Sequence, residues 1–375
     1  MVCYLLIRDL SPLFTLVVSC QLVAHPVGSG TFLVMDELAD GGRIKDRIEK
    51  FSAIILGGPH NQDMRQRLAF GARIGYAFNR IERGCLMSPA DTPDPQRWRE
   101  AVRQEWEDAD VIAAWRKWAP QARLAGHAAT EAMLEAAQLS PRMQVLDLAS
   151  GAGNPALELA EAVAPHGWVT VTDLIPQMLA IAQENAQVRG LTNLSFCVAD
   201  PEALPFPDQT FDVVTCRFGV MYFPDVGQAL QEIYRVLKPG GRVVFTAIGP
   251  FEQNPYFTTT MGVLMRYVPL PPSEPGAPHP FRFAQAGTLT SALQTAGFQQ
   301  IQEGYRTIPW PVPGTVEQVW DYIRELAAPF RPLLARLSPA ERVAAVSEVL
   351  AGIRRYHDGQ QANFPWVIVL VTAVR

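Results

Sequence analysis

The stretch Gln144-Val-Leu-Asp-Leu-Ala-Ser-Gly-Ala-Gly-Asn-Pro-Ala-Leu-Glu-Leu-Ala-Glu161 decides how this chain is read. Val145 to Ala149 is a short apolar run interrupted only by Asp147, which predicts a buried strand. Ser150 to Asn154 forms a glycine turn, and Pro155 suits the first position of a helix, where a missing N–H costs nothing. Leu157, Ala160 and Ala164 then give that helix an apolar stripe. Gly151 and Gly153 let backbone N–H groups approach a ligand closely, so strand, loop and helix read as a nucleotide-binding crossover.

Asp147 selects the ligand chemistry. Gly151, Gly153 and Ala156 satisfy a loose G-x-G-x-x-A, the dinucleotide fingerprint. A carboxylate just before that loop would repel a pyrophosphate by a few kcal/mol at intermediate dielectric. It would attract a ligand carrying an ammonium and a sulfonium. An acidic residue followed by G-x-G resembles the first motif of class I S-adenosylmethionine-dependent methyltransferases. A plain glycine turn in an α/β domain is the other reading of this stretch taken alone.

The following text extends the resemblance. Trp168 to Asp173 predicts a second strand ending in an acid, about twenty residues past the glycines, where such folds place a carboxylate on ribose hydroxyls. Leu174, Ile175 and Met178 continue it in the manner of the family's D-[IL]-S-x-x-M-L. Leu194 to Ala199 predicts a third strand, followed by Asp200-Pro-Glu-Ala-Leu-Pro-Phe-Pro-Asp208. That text is similar to the D-A-E-x-L-P-F-P-D signature of the ubiquinone/menaquinone biosynthesis C-methyltransferase-like group. The resemblance implies that Asp200 accepts a bond from the adenine amino group and that the next residue supplies a backbone N–H. Pro201 has none, so that donor is expected at Glu202 or Ala203.

Thr210 to Cys216 predicts the fourth strand, with Asp212 structural. Arg217 to Asp225 follows at its carboxyl end, where doubly wound sheets hold ligands. A helix over Ala229 to Leu237, the turn Lys238-Pro-Gly-Gly-Arg242 and a fifth strand, Val243 to Ile248, match the family's L-K-P-G-G. Asn254-Pro-Tyr256 invites comparison with the N-P-P-Y of adenine methylases, but follows the fifth strand rather than the fourth. A helix over Ala286 to Ala296, a sixth strand over Phe298 to Tyr305, helices within Val316 to Tyr356 and a last strand, Pro365 to Val374, complete the pattern. In this fold the last strand lies antiparallel beside the sixth.

Upstream, Arg97 to Trp118 has helical spacing up to Pro120, and a second helix is expected at about Ala122 to Gln138. Related enzymes use such helices as a lid. Residues 1–86 show no sustained period, and a polar, proline-rich stretch follows Met87. The functional part is therefore expected to start at or near Met87. Leu13 to Ala24, the most apolar run, is too short and too polar to span a bilayer.

The 375 residues are 48% hydrophobic and 18% charged, ordinary for a soluble enzyme. A net charge of −5 leaves no basic footprint, so nucleic acid is not expected as a partner. Cys3, Cys20, Cys85, Cys197 and Cys216 have no metal-ligand spacing, and the last two read as reduced core residues. No metal and no stable membrane insertion are expected, and the location expected is cytoplasmic. Nothing in the sequence sets the oligomeric state.

The expected fold is α/β: a Rossmann-like doubly wound seven-stranded sheet with an antiparallel last strand, N-terminal helices and helical insertions. Its domains are an extension over 1–86, a linker and lid helices over 87–140, and a methyltransferase domain over 141–375 with insertions at 249–285 and 310–360. The resemblance implies methyl transfer from S-adenosylmethionine to a small apolar or aromatic acceptor by direct displacement. The residues expected at the cofactor are Asp147, Ala149, Gly151, Gly153, Asp173, Leu174, Asp200, Pro201, Glu202 and Arg217. Those expected at the substrate are Trp115, Trp118, Tyr222, Tyr256, His279 and Phe281; no catalytic base is assigned. A nucleotide-dependent oxidoreductase fits the loop and Asp173, but leaves Asp147, Asp200 and the Leu-Pro-Phe-Pro-Asp text unexplained. A non-catalytic S-adenosylmethionine-binding protein is the third reading.

Overall fold

The computed structural model describes Tyr4–Leu10, Leu13–Ser19 and residues 95–375 except 269–273, 275 and 327–329. The chain divides between Thr92 and Pro93 into two units. In the first, β1 (Tyr4–Leu10) pairs antiparallel with β2 (Leu13–Ser19), Leu10 standing opposite Leu13. The proline-rich linker, the rest of the expected extension, and Cys3, Cys20 and Cys85 lie outside the described residues.

The second unit opens with α1 (Pro95–Glu107), α2 (Ala109–Ala125) and α3 (His127–Ala137). The expected first helix is thus two. Asp108 starts α2 by accepting from the N–H groups of Asp110 and Val111 at 2.9 and 3.1 Å, a side-chain cap. Pro120 does not end α2. It removes one hydrogen bond, but the buried Ala114, Ala119, Ala122 and Ala125 keep the helix packed on both sides of it. The break comes at Gly126.

The crossover then follows as β3 (Gln144–Leu148), α4 (Ala156–Val163), β4 (Trp168–Asp173), α5 (Pro176–Val188) and β5 (Leu194–Val198). Pro155 caps α4 instead of opening it, and Val163 replaces the exposed Ala164 in its buried stripe. After β6 (Phe211–Arg217) come α6 (Val226–Val236) and β7 (Leu237–Ile248). Asp212 is structural as expected, accepting from Gln144 N and from Lys238 Nζ at 2.8 Å each.

The chain continues through α7 (Pro255–Thr258), α8 (Met261–Tyr267) and α9 (Thr288–Thr295) to β8 (Gln299–Pro313). Helices α10 (Val316–Leu326), α11 (Phe330–Ala335) and α12 (Pro339–Arg354) precede β9 (Gln361–Val374). Among the described residues of this unit, seven strands form one sheet in the order β5-β4-β3-β6-β7-β9-β8. Of these seven, β9 alone runs opposite in direction to the other six. This is the doubly wound sheet expected from the motifs. Among the described residues, no helix is long and apolar enough to cross a membrane.

Strand β8 outruns its expected end at Tyr305 and reaches into the segment expected as a helical insertion from 310. Its prolines explain why this was hidden. Pro309, Pro311 and Pro313 alternate, so their missing N–H groups all belong to one side of the strand. Because β8 is an edge strand, that side is the open edge and no ladder bond is lost. The edge position of β5 likewise leaves Cys197 only half-buried, whereas Cys216 on central β6 is fully buried.

Candidate active site

A cavity of about 300 Å³ lies at the carboxyl ends of β3, β4, β6 and β7. Its floor is the loop after β3. Gly151 and Gly153 have φ of 54° and 102°, left-handed values that admit glycine without a Cβ penalty. A Cβ on Gly153 would also stand 3.2 Å from Leu157 and 3.3 Å from Ala182, so the loop lies close against α4 and α5. Two non-glycine residues in the lining, Ala149 and Phe218, are left-handed as well, at 51° and 57°. Such strain costs about 1–3 kcal/mol each and is held only where surrounding structure dictates it.

Asp147 lies fully buried in β3, beneath the cavity lining. Its Oδ1 accepts from Thr215 Oγ1, and its Oδ2 has no hydrogen-bond partner. Burial pushes its pKa up to about 7, against the Thr215 and Ser150 hydroxyls and the Arg217 charge. An orphaned buried carboxylate oxygen is the opening that a cationic group or an ordered water would fill.

Asp173 closes β4 and reaches the cavity. Its Oδ2 accepts from Gly151 N at 2.8 Å and its Oδ1 from Ile175 N at 2.9 Å. Burial raises its pKa despite these bonds. A carboxylate has about four acceptor sites, so two bonds to the backbone leave capacity for ligand hydroxyls.

Asp200 and Glu202 differ in kind. Asp200 lines the cavity, and Asp200 Oδ1 accepts from Glu202 N at 2.9 Å. Ala203 N donates to Asp200 O at 3.0 Å, so both N–H groups expected to face a ligand are already spent inside the loop. Glu202 turns away from the cavity, accepting from Asp225 N at 2.7 Å and pairing with Arg99 of α1. Arg99 Nε also stands 3.5 Å from Asp200 Oδ2, which ties α1 to this loop. The rest of the signature is held by Arg235, which donates to Leu204 O, Phe206 O and Asp208.

The other wall is aromatic. Trp310 and Trp366 stack at 4.1 Å between centroids, and Tyr256 and Phe257 lie 4.8 and 5.0 Å from Trp366. All four line the cavity, with Tyr322 of α10. Trp106 bridges Trp115 at 6.3 Å and Tyr222 at 5.7 Å, and all three line it too. The indole N–H groups of Trp115 and Trp366 are buried without a partner, at about 1–3 kcal/mol each.

The structure therefore brings Ala149, Gly151, Asp173, Leu174, Asp200, Pro201, Arg217, Trp115, Tyr222 and Tyr256 to one cavity. Asp147, Gly153 and Glu202 support it from behind. Trp118 is a supporting residue, bonded to Glu325 at 2.7 Å and edge-on to Tyr322 at 5.7 Å. His279 and Phe281 are outside the lining. His279 Nδ1 accepts from Phe281 N, and Phe281 packs on Phe251 and Phe257. Asn254 has no place there either, because its side chain is bonded to the backbone of Val367 in both directions.

Sequence reading missed Arg99, Asn154, Phe218, Trp310, Tyr322 and Trp366 in the lining. Asn154 sits in the glycine loop, which was a usable signal. Trp310 and Trp366 gave none, since the two residues lie more than fifty positions apart in the chain.

Residues 126–264 match the model of the ubiE/COQ5 methyltransferase family, so the resemblance drawn from the motifs holds over that segment. The demethylmenaquinone methyltransferase of Thermus thermophilus is 50% identical over 107 residues, 28% of this chain and 48% of the relative. That of Deinococcus radiodurans is 44% identical over 119 residues, 32% of this chain and 48% of the relative. The chain spans about half the length of the curated relatives it matches. Among solved structures, the YcgJ protein of Bacillus subtilis aligns over 66% of this chain and 98% of its own, at 21% identity and TM-score 0.42.

Proposed function

We propose that this protein transfers a methyl group from S-adenosylmethionine to a small, apolar or aromatic acceptor by direct displacement. One observation carries the reading. A single cavity has the glycine loop, Asp173 and Asp200 on one wall and a box of aromatic rings on the other.

The residues present fit the cofactor. The left-handed glycines leave room for its close approach, and Asp147, buried beneath the loop with Oδ2 open, reaches its ammonium through an ordered water. Asp173 has acceptor capacity for ribose hydroxyls, and Asp200 for the adenine amino group. Bound there, the cofactor supplies an electrophilic sulfonium methyl. The aromatic wall orients the acceptor and excludes water, and holding reactants near attack distance removes much of the entropic barrier. Tyr222 is a poor base, because burial raises its pKa well above the ordinary phenol value.

The names of the relatives favour a quinone-type acceptor. Trp310, Tyr322 and Trp366 lie beyond the matched segment, so this chain's own wall selects the acceptor. A cytoplasmic location agrees with the unpaired Cys197 and Cys216.

Calorimetry with S-adenosylmethionine and NAD, followed by labelled methyl transfer to cell extract, tests the reading. Micromolar S-adenosylmethionine binding and a labelled small molecule are expected. Binding of NAD alone would refute it.

A further inference from the structure

Resting on that reading, we propose that Arg217 receives an oxyanion carried by the methyl acceptor. The protein then selects flat aromatic substrates bearing a negative oxygen and rejects cationic ones.

Arg217 ends β6 and forms part of the cavity wall. Its Nη1 donates to Gly126 O at 3.1 Å and to Thr130 Oγ1 at 2.9 Å, both neutral acceptors. Among the described residues no carboxylate lies within ion-pair distance of it, and its Nε and Nη2 donate to none of them. Gly126 permits this placement, because a Cβ there would stand 2.5 Å from Nη1. Arginine stays protonated in proteins, so the guanidinium is a fixed charge in an enclosed site; Glu158 and Asp147 act on it only through space, without ion-pair contact. A buried charge of this kind is stabilised by an anionic ligand.

The surroundings narrow the anion. Trp310, Trp366, Tyr256 and Tyr322 share the cavity, and the Arg217 charge is felt at Tyr322. A box of aromatic rings alone would suit a quaternary ammonium. A guanidinium in the same cavity repels one. The unpartnered indole N–H groups of Trp115 and Trp366 are donors only, so they too favour an acceptor-bearing ligand. A cation beside the oxygen also lowers its pKa, which agrees with a cavity lacking an assigned base.

The cofactor's own carboxylate is a second source of the same chemistry, and the test separates the two. The full chain, saturated with S-adenosylhomocysteine, is titrated at pH 7 with 2-naphthoate, 2-naphthylmethanol and 2-naphthylmethylammonium. Naphthoate is expected to bind at least tenfold tighter than the alcohol, with the ammonium weakest. Arg217→Met is expected to erase the naphthoate advantage, leaving the alcohol and S-adenosylhomocysteine within threefold. Tightest binding of the ammonium, or an intact naphthoate preference in Arg217→Met, would overturn the proposal. So would a selective loss of S-adenosylhomocysteine in that variant, which assigns Arg217 to the cofactor. Should Arg217→Met not fold, Arg217→Lys decides: naphthoate weakened severalfold with the alcohol unchanged supports the proposal, and equal weakening of both refutes it. Failure of the unmodified chain to bind S-adenosylhomocysteine would instead remove the methyltransferase reading, and this proposal with it.

Discussion

Thr215 Oγ1 donates to Asp147 Oδ1 across 2.5 Å, joining two adjacent parallel strands directly beneath the glycine loop. The bond satisfies one carboxylate oxygen and leaves the other buried without a partner.

This arrangement makes stability depend on pH with a defined sign. Folded, Asp147 keeps its proton up to about pH 7, whereas unfolded it loses it near the ordinary carboxylate value. Between those two values the native state binds more protons, so stability falls as pH rises, by up to about 4 kcal/mol. Above pH 7 the contribution is flat. Urea unfolding at pH 5 and pH 8 measures it, and Asp147→Asn is expected to remove this part of the slope.

The same residue reports on the ligand. A cation beside Asp147 favours its ionised form, so cofactor binding near pH 6.5 is expected to release a proton. Asp147→Asn is expected to abolish that release and to weaken binding by about 1–3 kcal/mol, the range of a charge-assisted hydrogen bond. Calorimetry in buffers of different ionisation enthalpy reads both. Tighter binding in Asp147→Asn would contradict a cationic ligand.

Asp173→Ala is expected to weaken S-adenosylmethionine by about 10- to 100-fold, each tenfold being about 1.4 kcal/mol. The fold will not be spared. Removing the carboxylate strands the N–H groups of Gly151 and Ile175, at about 1–3 kcal/mol. Asp173→Asn keeps one acceptor oxygen but turns an NH2 donor toward the other N–H, so it is expected to restore only part of the melting temperature. An unchanged dissociation constant in both variants would rule out the ribose assignment.

Glu202→Ala is expected to be more damaging than Arg99→Ala. Glu202 is buried and serves both Asp225 N and Arg99, so its loss leaves a buried donor unpaired, at about 1–3 kcal/mol. Arg99 is about a third exposed, so water enters where its guanidinium stood; its loss costs more than a surface pair, because Glu202 is buried, but less than the loss of Glu202 itself. Hydrogen exchange of α1 is the sharper readout for Arg99→Ala, with faster exchange expected because its tie to the Asp200 loop is gone. Equal melting temperatures for the two variants would count against this division.

A chain beginning at Met87 is expected to fold and to bind cofactor with unchanged affinity. Every residue lining the cavity lies between Arg99 and Trp366. A large fall in melting temperature, or loss of soluble protein, would refute this.

The glycine-loop side of the cavity was legible in the sequence because its parts are local. Asp147 and the glycines lie within seven residues, Asp173 ends β4, and Asp200 follows β5 by two residues. Parallel strands buried on both faces announce themselves by apolar runs, and a residue closing one is carried to the sheet's carboxyl edge whatever the rest of the chain does. The boundaries were less legible. Asp108, Pro120 and the alternating prolines of β8 owe their effects to caps, packing and an open sheet edge, which a propensity cannot register.

Of the aromatic wall, Trp115, Tyr222 and Tyr256 were named from the sequence, whereas Trp310, Tyr322 and Trp366 were brought in by tertiary structure alone. Ile368 of β9 pairs with Ile248, the last residue of β7, so residues 361–367 continue beyond the carboxyl end of the parallel strands. There β8 is the strand that pairs with β9, and the antiparallel direction of β9 brings Trp366 against Trp310 above the cavity. No local pattern encodes that meeting. The sequence by itself determined the sheet, the glycine loop and the acids at its edge, because strand period and backbone sterics act over a few residues. That Trp310, Tyr322 and Trp366 close the cavity, and that among the described residues no carboxylate is in ion-pair contact with Arg217, followed from long-range strand pairing and helix packing.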